Sequence, residues 1–227
     1  MNFLILLITE VIILLFLARQ NINLIQGLLA TKIKSQEFII RFLFILLLPG
    51  VIIHELSHLL FAGILFVPVG EMELFPRIQE KNVRLGSVQV GQTDPIRRMI
   101  IGVAPIIVGF PIVIGLVSLI PKVGSFGNFY LSAFLIFLAI YLIFTVTATL
   151  FSSRKDLEGT LELILVFIIL GVIFYAIGFR APLFWLFDFI QKPSTISFFK
   201  NLSILLLVPL LLNVSIFSLL YLLERKR

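Results

Sequence analysis

The chain contains no cysteine and only two histidines among its 227 residues. Without thiols there is neither a disulfide framework nor a thiolate metal site, so any metal would be held by histidine, carboxylate and water. Charge is scarce too: 13% of residues are Asp, Glu, Lys or Arg, against 60% hydrophobic. There is one Trp, no internal repeat, no low-complexity tract and no polar stretch long enough for a soluble domain. A mean hydropathy of +1.16 places the chain among polytopic membrane proteins. The 18 basic residues outnumber the 12 acidic ones. They are dispersed between apolar runs without a nucleic-acid recognition motif, so no nucleic-acid partner is expected, and their excess suits anchoring to anionic lipid.

About 20 apolar residues cross a bilayer, and six segments qualify: 2–18, 38–66, 97–120, 127–151, 160–178 and 201–223. The stretch 180–190, with the single Trp, is too short to span and reads as interfacial. The first run has no basic leader and no small-residue cleavage site, so it is expected to be a retained helix. Glu10 lies inside it and is expected to face other helices in a structural role. Six spans put both termini and the loops 67–96 and 152–159 on one side. Ten basic residues there against eight opposite make that side cytoplasmic. The expectation is an all-α multi-pass protein of the cell membrane, with about six transmembrane helices. Residues 1–37 form the first helix and its loop, 38–160 a core, and 161–227 two further spans with the interfacial segment.

Both histidines fall in one motif, His54-Glu55-Leu56-Ser57-His58, inside an apolar run. Residues four apart on a helix lie one turn apart on the same face, so both imidazoles can reach one zinc ion. Glu55 between them can address the water such an ion would hold. A soluble helix often carries this pattern by accident, but ionisable groups at membrane depth mark a working site by default. Zinc at a catalytic site takes three protein ligands and leaves a position for water. The third must be a carboxylate: Asp156 leads, in a Ser-Ser-Arg-Lys-Asp turn, with Glu158 next and Glu162 and Glu10 behind.

The longest polar insertion, 68–96, reads as two strands, 71–78 and 83–90, around a turn at Gln79-Glu80-Lys81-Asn82. Pro76 forces its strand to an edge or a break. Such a hairpin is either a solvated loop or a platform whose free edge pairs with an extended peptide. On the second reading Leu85, Gly86, Ser87 and Val88 contact substrate. The run after it opens with Arg97-Arg98 and is rich in Gly and Pro, which permits close helix packing.

Three features together resemble the site-2 protease family of intramembrane zinc metalloproteases. They are HELSH at 54–58, Gly102-Val103-Ala104-Pro105 opening the next span, and Asp156-Leu157-Glu158-Gly159 beyond the span after. The resemblance covers roughly 38–160 and looks like a divergent branch. Where the family has an Asn- and Pro-rich approach to Asp-Gly, this chain has neither, and Gly159 follows three positions after Asp156. The resemblance implies a three-helix metalloprotease core, one zinc per chain held by His54, His58 and Asp156, and Glu55 as general base. It implies a zinc metalloendopeptidase acting on transmembrane proteins or peptides. The alternative is a non-catalytic protein of the same fold that binds metal or helical clients. A metal carrier fits less well, since the spans hold too few acids for a relay.

Overall fold

The computed structural model describes residues 2–73, 77–79, 82–84, 87–124, 127–150 and 160–226. Its element order is α1 (Asn2–Lys32), α2 (Gln36–Ile64), β1 (Val69–Glu73), β2 (Arg77–Gln79), β3 (Asn82–Arg84), β4 (Ser87–Val90), α3 (Pro95–Gly124), α4 (Phe129–Thr149), α5 (Thr160–Ala176), α6 (Ala181–Gln191) and α7 (Pro193–Arg225). Among the described residues five helices, α1–α4 and α7, are long and apolar enough to cross a membrane. The chain is thus helical and membrane-spanning in character. The expected span at 160–178 is the 17-residue α5. At 1.5 Å per residue it covers about 26 Å, just under the hydrocarbon thickness. The segment expected to be interfacial is the 11-residue α6, which has Pro in its first turn.

The first helix outruns its apolar stretch. Arg19, Gln20 and Asn21 end the hydropathy signal, yet α1 continues to Lys32. Ala18 and Asn21 are buried against other helices, so tertiary contact carries the helix where local hydropathy stops.

Polar contacts fix the relative directions of the helices. Ser203 donates to Glu10, and Asn21 donates to Asn213, so both partners advance together and α1 runs parallel to α7. Tyr141 donates to the Leu46 carbonyl at 2.9 Å, and Gly50 lies against Thr145, so α2 runs parallel to α4. Gly109 meets Val146 and Leu150, while Val113 and Val117 join the cluster of Ile143 and Val146; α3 is antiparallel to α4.

Helix α4 is the hub. Residues 143–147 are buried without interruption, which an amphipathic surface helix never shows. Its hydroxyls turn back onto their own helix: Thr147 donates to Ile143 O and Thr149 to Thr145 O. That is how a hydroxyl is satisfied in an apolar interior. The α2–α4 crossing is tight because Gly50 has no side chain, since a Cβ there would lie 2.2 Å from the Thr145 carbonyl oxygen.

The 68–96 insertion contains the expected antiparallel hairpin in two pieces. β1 pairs with β4 (Met72↔Val88, Glu73↔Ser87), and β2 pairs with β3 (Ile78↔Val83, Gln79↔Asn82). Residues 74–76, with Pro76, lie outside the described residues. Both β1 and β4 pack against α2.

Candidate metal centre

The face of α2 that carries the motif points inward. His54, Glu55, Ser57 and His58 are all buried, whereas Leu56 and Leu60 on the other side are about half exposed. Pro49 lies inside the helix about one turn earlier without ending it, and Ser57 returns its hydroxyl to Ile53 O at 2.6 Å. The motif therefore sits in continuous helix, with its polar face covered by neighbouring helices.

The histidines meet through their outer nitrogens. His54 Nε2 and His58 Nε2 are 3.2 Å apart, with the rings close to perpendicular. His58 Nδ1 lies 2.8 Å from the backbone carbonyl of Ile101 on α3. A carbonyl can only accept, so Nδ1 carries a proton, and Nε2 is the nitrogen turned toward His54. Zinc holds imidazole nitrogens at about 2.0–2.1 Å, and two such ligands at a tetrahedral angle stand about 3.3 Å apart. The pair thus has the bite and, at His58, the ring orientation that a zinc ion needs. The other ring nitrogen, fixed by a backbone carbonyl, is the usual support of a metal-binding histidine.

The Ile101 carbonyl is itself locked in place. Ile101 packs with Ala62 and Val67, with Phe61 and Leu65 against them. Here α2 ends in a Schellman turn: Val67 N–H bonds Ala62 O at 2.9 Å and Phe66 N–H bonds Gly63 O at 3.1 Å. Phe66 takes the left-handed conformation (φ 55°) usually left to glycine. One apolar cluster thereby joins the end of the motif helix, the start of the hairpin and the carbonyl that orients His58. Sequence reading missed Ile101, because a backbone acceptor leaves no mark in residue type.

On the far side of the cluster, α3 opens at Asp94. Its carboxylate accepts the Arg97 N–H at 3.0 Å and pairs with the Arg97 guanidinium at 3.2 Å. The Arg97 N–H bond, aided by the guanidinium charge, holds the Asp94 carboxyl below the ordinary carboxylate range.

Among the described residues no group of three or more His, Cys, Asp or Glu assembles. Asp156 and Glu158 lie outside the described residues, as do Leu85 and Gly86. Ser87 and Val88 belong to β4, opposite Glu73 and Met72. Because α4 runs parallel to α2, its end at Leu150 lies on the side where α2 also ends. Glu10 is elsewhere, between α1 and α7, accepting the Ser203 hydroxyl at 2.7 and 2.8 Å through its two oxygens. A second polar set was not anticipated. Asn21 donates to Asn213 O and Oδ1, and Asn213 donates to Thr147 Oγ1 at 3.3 Å, tying α1, α7 and α4 together.

Compared with known proteins, the chain matches no family model, no curated protein and no solved structure.

Proposed function

We propose that this chain is an intramembrane zinc metalloprotease that hydrolyses peptide bonds of membrane-embedded proteins. The observation that carries the reading is the 3.2 Å approach of two buried imidazole nitrogens in an apolar helix, one ring fixed by the Ile101 carbonyl. His54 and His58 hold the metal, with Asp156 as the third ligand and Glu158 as its alternative. A bound zinc supplies Lewis-acid polarisation of the scissile carbonyl and lowers the pKa of water to about 7. Glu55 takes the proton of the attacking water and hands it to the leaving amine. A helical substrate hides its carbonyls in hydrogen bonds, so the scissile segment is first drawn out as a strand. The hairpin supplies that step by pairing with it, through Leu85, Gly86, Ser87 and Val88. Substrate and water reach the site from the side where α2 ends and α3 begins, the proposed cytoplasmic face.

The test compares purified wild type with single variants for metal content and for cleavage of a transmembrane peptide. Glu55→Gln retains one zinc per chain and cleaves about 10²–10⁴-fold more slowly. His54→Ala loses both metal and cleavage. Loss of zinc from Asp156→Ala but not Glu158→Ala assigns the third ligand. Undiminished cleavage by Glu55→Gln would overturn the mechanism, and a wild type that binds the peptide without cutting it would make the chain a client-binding protein.

A further inference from the structure

At the elbow between α6 and α7 the chain forms an open cleft of about 230 Å³, lined by Phe189, Ser194, Thr195, Phe198 and Phe199. Three phenyl rings and two hydroxyl side chains line it. The cleft sits on the N-terminus of a 33-residue helix that has no acidic residue in its first turn and no side-chain cap. In that turn Pro193 has no N–H, Ile196 N–H already bonds Lys192 O, and Lys192 N–H bonds Phe189 O. The N–H groups of Ser194 and Thr195 are therefore left to point outward. Thr195 is 8% exposed, lines the cleft, and has no hydrogen bond to its hydroxyl among the described residues. The hydroxyl is not sealed in, so it stays available to a group bound in the cleft. Lys192 and Asp188 face one another at 3.9 Å across the rim, both well exposed.

We infer that this cleft binds an anionic glycerophospholipid with a hydroxylated headgroup, of the phosphatidylglycerol type. The phosphodiester would meet the Ser194 and Thr195 N–H groups, the Thr195 hydroxyl, Lys192 and the positive end of the helix. Asp188 would accept from the headgroup hydroxyls, which a choline headgroup does not offer. The glycerol and upper acyl carbons would lie on Phe189, Phe198 and Phe199. The inference is independent of the metal centre.

The test measures lipids retained by the purified full-length chain from vesicles of equimolar phosphatidylglycerol and phosphatidylcholine, using native mass spectrometry. Phosphatidylglycerol is expected to dominate. Its advantage should fall about fivefold in Lys192→Gln, the weight of one lysine at an anionic surface, and fall again in the near-isosteric Thr195→Val. Lys192 is exposed, so its variant leaves the fold intact and keeps the test informative if Thr195→Val is unstable. Equal retention of the two lipids, or an unchanged preference in Lys192→Gln, overturns the assignment. So does displacement of the lipid by an equal concentration of inorganic phosphate, which would make the cleft a phosphate site without acyl contacts.

Discussion

Asn213 uses both ends of its side-chain amide between helices. Its oxygen accepts from Asn21, and its nitrogen donates to Thr147 as well as to Pro209 O within its own helix. Replacing it with leucine removes the Oδ1 acceptor and the bond to Thr147, leaving the Asn21 amide only the backbone carbonyl of residue 213. Interhelical hydrogen bonds in membranes average about 0.6 kcal/mol and reach about 1.7, so Asn213→Leu should destabilise by about 1–2 kcal/mol in an unfolding titration. Ser215→Ala should do nothing, because that exposed hydroxyl only serves its own helix. Gly50 and Gly63 offer a sharper contrast within one helix. A Cβ at Gly50 would strike the Thr145 backbone, whereas one at Gly63 meets nothing within 4 Å. Gly50→Ala should cost about 1–3 kcal/mol through overpacking, while Gly63→Ala should gain up to about 1 kcal/mol from helix propensity. At this scale the motif was legible, because a histidine in an apolar run stands out against its neighbours. The amide pairing was not, since nothing in local sequence says which two asparagines will meet.

Elements were legible where a local rule fixes them. The apolar runs marked all five long helices, and the polar insertion between the second and third of them marked the hairpin. The ends were harder to place. α1 passes through Arg19-Gln20-Asn21 because burial of Asn21 rewards the continuation. Phe66 was invisible as a helix stop, because the rule looks for glycine and here a buried Val67–Ala62 contact holds a phenylalanine in the left-handed region. Asp94 lends α3 a pH dependence whose sign follows from its lowered carboxyl. A group depressed in the folded state stabilises above its unfolded value of about 3.9 and loses that contribution as pH falls through its folded value. Protection of the Arg97 amide in hydrogen exchange should hold at neutral pH and decline only below about pH 4. Asp94→Ala should abolish it at every pH, while Asp94→Asn should keep it without the acid transition.

For the whole molecule, helix count and direction decide where the ends of the chain lie. Six crossings would leave the first and last spans antiparallel and both termini on one side. The parallel register of α1 and α7, set by Glu10–Ser203 and Asn21–Asn213, predicts an odd number of crossings instead. Because the chain has no cysteine, single cysteines introduced at Asn2 and Lys226 can be labelled without background. One should react with a membrane-impermeant maleimide in intact cells and the other only after permeabilisation. Labelling of both from one side would restore the six-span arrangement. Hydropathy could not decide this, because it measures length along the chain and is blind to which helix lies beside which.

That register also sets an order of assembly. Glu10 and Asn21 enter the bilayer with the first helix, while the groups that satisfy them, Ser203 and Asn213, follow 193 and 192 residues later. Through most of synthesis α1 therefore carries an acid and an amide whose final partners do not yet exist, in a solvent that offers few substitutes. The last helix made is the one that closes the bundle. A chain cut short before Ser203 would possess every motif residue and still lack the piece that lets its first helix settle.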